Sequence, residues 1–468
     1  MDQNTFTAGF ARCDITPRNG GIPLAGYGAT HLRLGAEVQN RLYAHIVCFG
    51  HGKTPELLHI TVDLIGGQTD LIRDAVTEAT GFPRERILVG GTHTHSAPDA
   101  GSDMDSIKVY KEFLAKQVAE AVPFAIADLK PARIFYGSEE VGHPGSRMNF
   151  CRHYKIVKNS AGSNFGNESI EYCGDNFNDH HASDKENYHY IGHFQDVDPN
   201  LCVLKLAREN ADDILMINFQ AHAHITGGSK KSRISSDFPG TTVQKTEALI
   251  PNVKCTYIQG ACGNINPNTR MIEDGLPGLT FGATRDVEGY GAVLASYVKR
   301  IVDRMQESTD QTFKVAQKTI SLKCDHSMDS RVEDAEKLVD EFEKTGITPE
   351  LRAKILEQGF NSIYHCTATL RKVKAEETAP IEINGIRLGE ASIAVTPGEL
   401  FNDLGVYVKT NSPFKFTLFN GYCGAGGTYF PSKGAPAGAY ERTSGRFEAG
   451  EGEKLAEALV ELLYTLKD

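Results

Sequence analysis

Two histidines one residue apart, His93-Thr94-His95, follow the apolar run Ile87-Leu88-Val89-Gly90-Gly91 and precede Ser96-Ala97-Pro98. In extended backbone, residues i and i+2 point to the same side. One imidazole can then ligate a metal while the other moves a proton or holds substrate. A lone pair of this kind is also what a surface or hydrogen-bonded histidine looks like. The pattern gains weight because it recurs. Residues 214–219 form another apolar run, and Gln220-Ala221-His222-Ala223-His224 follows at once. Residues 255–259 lead into Gly260-Ala261-Cys262-Gly263-Asn264-Ile265-Asn266-Pro267-Asn268, and residues 391–396 into Pro397-Gly398-Glu399. Residues 414–419 lead into Asn420-Gly421-Tyr422 and a glycine-rich run up to Tyr429. Each β-rich run ends in a turn with a ligand-type side chain, where open α/β sheets place their active sites.

Turns of that kind need a scaffold. Residues 57–64 read as a strand, 70–80 as a helix closed by Gly81, 87–89 as a strand and 107–127 as a helix. In the last of these, Phe113, Leu114, Val118, Ala121, Val122 and Ala125 recur with a period near 3.6 residues. The alternation predicts an α/β fold of mixed β-sheets flanked by helices, with the active site at the strand C-terminal ends. Residues 157–198 are rich in Asn, Asp, Ser, Gly and His, and read as a long loop insertion in which His180-His181 is solvated. Residues 329–375 read as a surface helical hairpin turning at Gly346-Ile347-Thr348-Pro349. Residues 453–466 read as an amphipathic helix burying Leu455, Leu459, Leu462 and Leu463. No linker or repeat interrupts the pattern, so residues 1–468 are expected to form a single domain.

Composition narrows the function classes. A chain of 468 residues, 40% hydrophobic and 23% charged, has the makeup of a globular protein with ample core. A net charge of −11 argues against nucleic acid or an anionic membrane as the main partner and leaves a small-molecule substrate. No apolar run reaches membrane-span length, and the first residues lack a signal-peptide pattern, so a cytoplasmic location is expected. The ten cysteines show no CxxC or framework spacing and read as reduced, packing residues, Cys262 and Cys423 included.

The motifs also have a familiar order. Ala8-Gly9-Phe10-Ala11-Arg12-Cys13-Asp14-Ile15-Thr16-Pro17, Gly26-Tyr27-Gly28, GTHTHSAP at 91–98, NFQAH at 218–222, ISSDFPG at 234–240, QGACGNINPN at 259–268, TPGE at 396–399 and NGY at 420–422 resemble the catalytic domain of the neutral/alkaline non-lysosomal ceramidases. The resemblance spans residue 8 to the C-terminal helix. It implies a zinc-dependent amidase of the kind that splits ceramide into sphingosine and a fatty acid. Many members carry an additional C-terminal immunoglobulin-like domain, for which this chain is too short. The resemblance further implies one zinc per chain, with His93 and His222 as ligands and Glu399 and Tyr429 completing the shell. The inserted Gly424-Ala425-Gly426-Gly427 separates Tyr429 from the NGY string, which leaves Tyr422 and Tyr440 as alternatives. By the same resemblance His95 binds substrate, and Arg152, in Met148-Asn149-Phe150-Cys151-Arg152, orients it.

The departures bear on substrate. Where the family has Gly-Asp-Val-Ser-Pro, this chain has Gly263-Asn264-Ile265-Asn266-Pro267, and its second ligand segment reads His222-Ala223-His224 where the family has His-Pro. Asparagine is no nucleophile here, so a covalent serine mechanism at position 266 is excluded. Asn266 is left with a hydrogen-bonding role. Asp237, from its charge and location, is read as holding a ligand histidine. The sequence thus predicts amide hydrolysis by metal-activated water on a substrate smaller or more polar than ceramide. Two alternatives stand beside it: zinc-dependent cleavage or elimination on a sugar-like or amino-acid-like compound, and a non-catalytic zinc-binding protein. A long apolar groove would favour acyl or sphingoid chains, and a short polar pit a small anion.

Overall fold

The computed structural model describes residues 3–27, 33–142, 147–158, 169–173, 188–193, 195–226, 232–269, 286–435 and 439–467. Its main sheet has nine strands. The long ones are β1 (Phe6–Asp14), β2 (Tyr43–His51), β3 (Thr54–Val62), β4 (Ile87–Gly91), β5 (Lys130–Glu140), β6 (Asn200–Arg208), β7 (Asp213–Phe219) and β8 (Val253–Gln259). They lie in the order β8-β7-β6-β5-β1-β2-β3-β4, and Gln306–Glu307 pairs with β5. Most neighbours are antiparallel, but each edge is a parallel pair, β7 with β8 and β3 with β4. A second sheet stacks β9 (Phe313–Lys323), β10 (Thr378–Leu388), β11 (Ala391–Val395) and β12 (Phe416–Asn420) in that order, with β11 and β12 parallel. This is the expected α/β class.

Ten helices are described: α1 (Thr69–Thr80), α2 (Asp105–Ala127), α3 (Asp237–Leu249), α4 (Val287–Val302), α5 (Val332–Thr345), α6 (Pro349–Glu357), α7 (Ile363–Lys372), α8 (Asn402–Asn411), α9 (Tyr440–Ser444) and α10 (Glu451–Thr465). Side-chain parity along the strands sorts them into layers. In β7, Ile214 and Met216 face the second sheet, where Ile386, Ile393, Val395 and Leu418 meet them. Leu215, Ile217 and Phe219 face the other way, against Tyr290, Leu294 and Val298 of α4. α1 and α2 cover the β1–β4 half of that outer face. α8 and α10 cover the outer face of the second sheet with Leu404, Val408, Leu455, Leu459 and Leu463. The result is helices, sheet, sheet, helices. Strands buried on both faces need continuous apolar runs, which is why residues 214–219 and 255–259 show no polar alternation. No described helix is long and apolar enough to cross a membrane.

Two insertions differ from expectation. The segment read as a loop at 157–198 contributes a three-stranded antiparallel sheet of Ser169–Cys173, Tyr154–Lys158 and Tyr188–His193. The strands are five or six residues long and the Asn-, Asp-, Ser- and Gly-rich stretches between them dominate the composition, so the segment reads as loop. His180-His181 lies outside the described residues. The segment read as a hairpin at 329–375 holds three helices, α5, α6 and α7, around Leu338, Leu351, Ile355, Phe360 and Cys366. Gln358-Gly359 ends α6, and the side chain of Ser362 caps α7 by accepting from His365 N–H.

One contact is set by a missing side chain. A Cβ at Gly9 of β1 would stand 2.1 Å from the Ala125 carbonyl oxygen of α2, so strand and helix touch backbone to backbone. Gly9→Val is expected to lower stability by about 1–3 kcal/mol through overpacking, measured by urea unfolding. Zinc binding by the folded fraction should be unchanged.

Candidate metal centre

Three parallel strand pairs end at one place. The turns after them are stitched by backbone bonds: Gly91 N–H to Tyr422 O at 3.1 Å, Gly421 N–H to Gln259 O at 3.0 Å, Gly260 N–H to Phe219 O at 3.1 Å and Gly263 N–H to Leu400 O at 3.0 Å. His93 follows β4, His222 follows β7, Cys262 follows β8, Glu399 follows β11 and Tyr422 follows β12. His93 and Tyr422 sit at φ 63° and 57°, a left-handed conformation that side chains other than glycine seldom adopt. Strain of this kind is stored where a fold must aim a side chain.

Each imidazole is aimed by its far nitrogen. His93 Nδ1 is 2.8 Å from Ile65 O, and His222 Nδ1 is 3.1 Å from Ile265 O. Those carbonyls accept a hydrogen bond from Nδ1–H, which turns the Nε2 lone pairs inward. There His93 Nε2 lies 3.4 Å and His222 Nε2 3.2 Å from Glu399 Oε2, and His95 Nε2 lies 3.2 Å from His93 Nε2. The ligand atoms of His93, His95 and His222 fall within 4.8 Å of one another, and all three residues are buried. His222 Nε2 has no hydrogen-bond partner. Ligands about 2.1 Å from a tetrahedral zinc stand roughly 3.4 Å apart, so these spacings fit such an ion.

Electrostatics agree. Burial pushes the His222 imidazole down to about 4, and burial with the neighbouring His93 and His222 rings holds His95 well below the ordinary histidine value. Lone pairs are thereby kept free of protons. Burial works to raise Glu399, but the His93 and His222 imidazoles outweigh it and hold the carboxyl well below its ordinary range. Burial and the Cys262 and Glu399 groups raise the Tyr422 phenol, and burial and Glu399 raise that of Tyr429. Beside the centre opens a cavity of about 430 Å³, walled by the turn Ile65 to Leu71, by His93, Glu399 and Tyr422, and by Gly424 to Gly427. A larger cleft of about 590 Å³ lies between Asn4 and Lys314 and contains none of these residues.

No protein-family model matches the chain, and no curated protein sequence is significantly similar to it. Solved structures are similar. The neutral ceramidase from Pseudomonas aeruginosa superposes with a TM-score of 0.69 at 16% identity, covering 100% of this chain and 75% of that one. A ceramidase complexed with C2 superposes at 0.66 and 14% identity, covering 99% and 75%. The chain has the neutral ceramidase fold.

Within that fold the expected residues divide into groups. His93, His222, Glu399 and His95 converge as described. Tyr422 joins them: its hydroxyl is 3.3 Å from Glu399 Oε2 and 3.1 Å from Cys262 Sγ, and its ring centroid is 4.0 Å from that of His93. Tyr429 pairs with Glu399 along parallel backbone, and its ring lies 5.8 Å from the Arg152 guanidinium and 5.7 Å from the Tyr440 ring. Asn266 Oδ1 is 3.1 Å from His224 Nε2, so the residue in the serine's place meets the additional histidine. Arg152 is not an open cation. Its Nε and Nη2 both engage Glu441, whose other oxygen is 2.9 Å from His153 Nε2.

Asp237 requires a correction. Backbone carbonyls hold the ligand histidines, while its carboxylate accepts from Thr226 N–H at 2.7 Å and Phe238 N–H at 2.8 Å. It is bound up in starting α3. Glu441 was invisible in the sequence, since Tyr440-Glu441-Arg442 on a five-residue helix carries no motif. Burial raises this carboxyl, yet Arg152 and His153 bring it down to about 2. The only local hint is Arg152, a cation that a buried site must balance.

His222 gives a pH signature. Its folded pKa lies below the unfolded value near 6.5, so acid protonates the unfolded chain first. Metal-free protein is expected to lose stability as pH falls from 6.5 toward 4. His222→Gln should remove on the order of 1–2 kcal/mol of that loss at pH 5, read from urea midpoints at pH 7 and pH 5.

Proposed function

We propose that this protein is a zinc-dependent amide hydrolase with one metal per chain, the whole chain serving as one catalytic domain. The observation that carries the reading is the meeting of His93 Nε2, His222 Nε2 and Glu399 Oε2 at 3.2–3.4 Å, at strand C-terminal ends, in a ceramidase fold. These three would hold the zinc, with a tyrosine as fourth ligand. Resemblance points to Tyr429, and contact with Glu399 favours Tyr422. Bound there, zinc acidifies water toward neutral pH and polarises an amide carbonyl.

The remaining steps belong to the chain. His95 faces the ligand cluster and carries a proton between the attacking oxygen and the leaving nitrogen. His224, an additional histidine beside the ligand segment, and Asn266, where the ceramidase pattern has serine, present a polar edge. Arg152, its charge balanced by Glu441, orients the acyl part. Among the described residues, glycines and polar side chains form much of the wall of the cavity of about 430 Å³. That wall suits a small polar acyl compound better than long hydrocarbon chains.

Protein purified without added metal is expected to contain one zinc per chain by elemental analysis. His93→Ala should lose it. His95→Ala should keep it and lose about 10²–10⁴ in rate, and equal metal loss in both variants would move His95 into the ligand shell. Tyr422→Phe and Tyr429→Phe, compared for zinc affinity, assign the fourth ligand. In a panel of N-acyl compounds the short polar members should turn over faster than long-chain ceramide. A metal-replete protein inert on the entire panel would leave the non-catalytic reading standing.

A further inference from the structure

The geometry points to Arg33 as a binding site for a carboxylate carried by the substrate. Arg33 is only 4% exposed and lies against the catalytic turn. Its Nη2 donates to the carbonyl of Ala25 and, at 2.5 Å, to that of His95. Its guanidinium stacks on Tyr27 with 4.5 Å between the central carbon and the ring centroid, and the Tyr27 ring stands edge-on to His95 at 5.4 Å. These contacts leave the charge uncompensated. Nε and Nη1 have no hydrogen-bond partner, and among the described residues no carboxylate forms an ion pair with Arg33. A desolvated guanidinium needs an anion, and its planar fork suits a carboxylate.

A second unsatisfied group points to the same corner. His95 Nδ1 is buried without a partner, while its Nε2 faces His93. Gly26, at φ 109°, lets the backbone pass close to that ring, since a Cβ there would stand 2.5 Å from His95 Nδ1. Three unpartnered nitrogens thus gather around the Ala25 to Tyr27 turn. The other cation of the site, Arg152, is already matched by Glu441. Buried polar atoms are nearly always satisfied in folded proteins, and a concentration of exceptions beside catalytic groups marks where a ligand completes the set.

The inference rests on the amide-hydrolase reading and narrows its substrate to N-acyl compounds with a carboxylate about one residue away from the scissile amide. Zinc-loaded, full-length protein is titrated calorimetrically with the N-acetyl derivatives of glycine, alanine and glutamine, each as free acid and as carboxamide. The free acids should bind at least tenfold more tightly. Arg33→Gln should bring the two forms within about threefold, and Arg33→Lys should retain part of the preference. Should Arg33→Gln prove unstable, Arg33→Met serves for the same comparison, because an apolar replacement of an unpaired buried charge is often well tolerated. Equal binding of acid and carboxamide by the unaltered protein overturns the proposal. So does a preference that survives loss of Arg33, which would place the carboxylate on the metal. Hydrolysis is followed separately: acid-selective, Arg33-dependent binding without turnover upholds the site and rejects the hydrolase reading, and turnover without acid preference does the reverse.

Discussion

Electron-rich atoms that face one another inside a protein cannot be left to themselves. Here two imidazoles and a carboxylate meet at little more than 3 Å, out of water, with a third imidazole and a phenol alongside. Burial drives the His222 and His95 pKa values down, so their protonation does not relieve the crowding near neutral pH. A divalent cation would relieve it. The layers of sheet and helix exist, in functional terms, to bring these atoms together and hold them there against their mutual repulsion and their lost hydration.

The fold meets this demand through strand direction. Antiparallel strands fill the middle of the main sheet, while parallel pairs at both edges and in the second sheet direct three sets of C-terminal ends to one face. Glycines and short backbone bonds let those turns interlock. The left-handed conformations of His93 and Tyr422 are the local strain of sharp exits from buried strands, sustained because the surrounding core permits no alternative. Backbone carbonyls, Ile65 O and Ile265 O, fix the histidine tautomers. A carbonyl in a closed turn is stiffer than a carboxylate on a side chain, which accounts for Asp237 having other work.

Around this centre the charges are matched in one place and unmatched in another. Arg152, His153 and Glu441 form a buried, mutually compensating group. Arg33 is equally buried and has no such partner. The contrast gives the site a direction, with a neutral polar wall on one side and a waiting positive charge on the other.

The α/β class, the strand runs and the ligand-bearing turns were legible in the residues because each depends on local pattern. Continuous apolar runs mark doubly buried strands, and a turn residue stands next to the strand it ends. The helix at 107–127 was legible for the same reason, its 3.6-residue period being local, and it appears as Asp105–Ala127. Less was legible where pairing is distant or apolar signal is weak, as in the three-stranded sheet within 157–198 and the third helix of 329–375. Tertiary structure alone decided which partners meet: Glu441 with Arg152 across 289 residues, Tyr422 with Cys262 across 160, and Asn266 with His224. It alone also left Arg33 without an anion. Local sequence determines what each segment can become and which side chains it offers. Burial and contact between remote segments determine which charges are paired, which nitrogens turn inward and which remain open for a ligand.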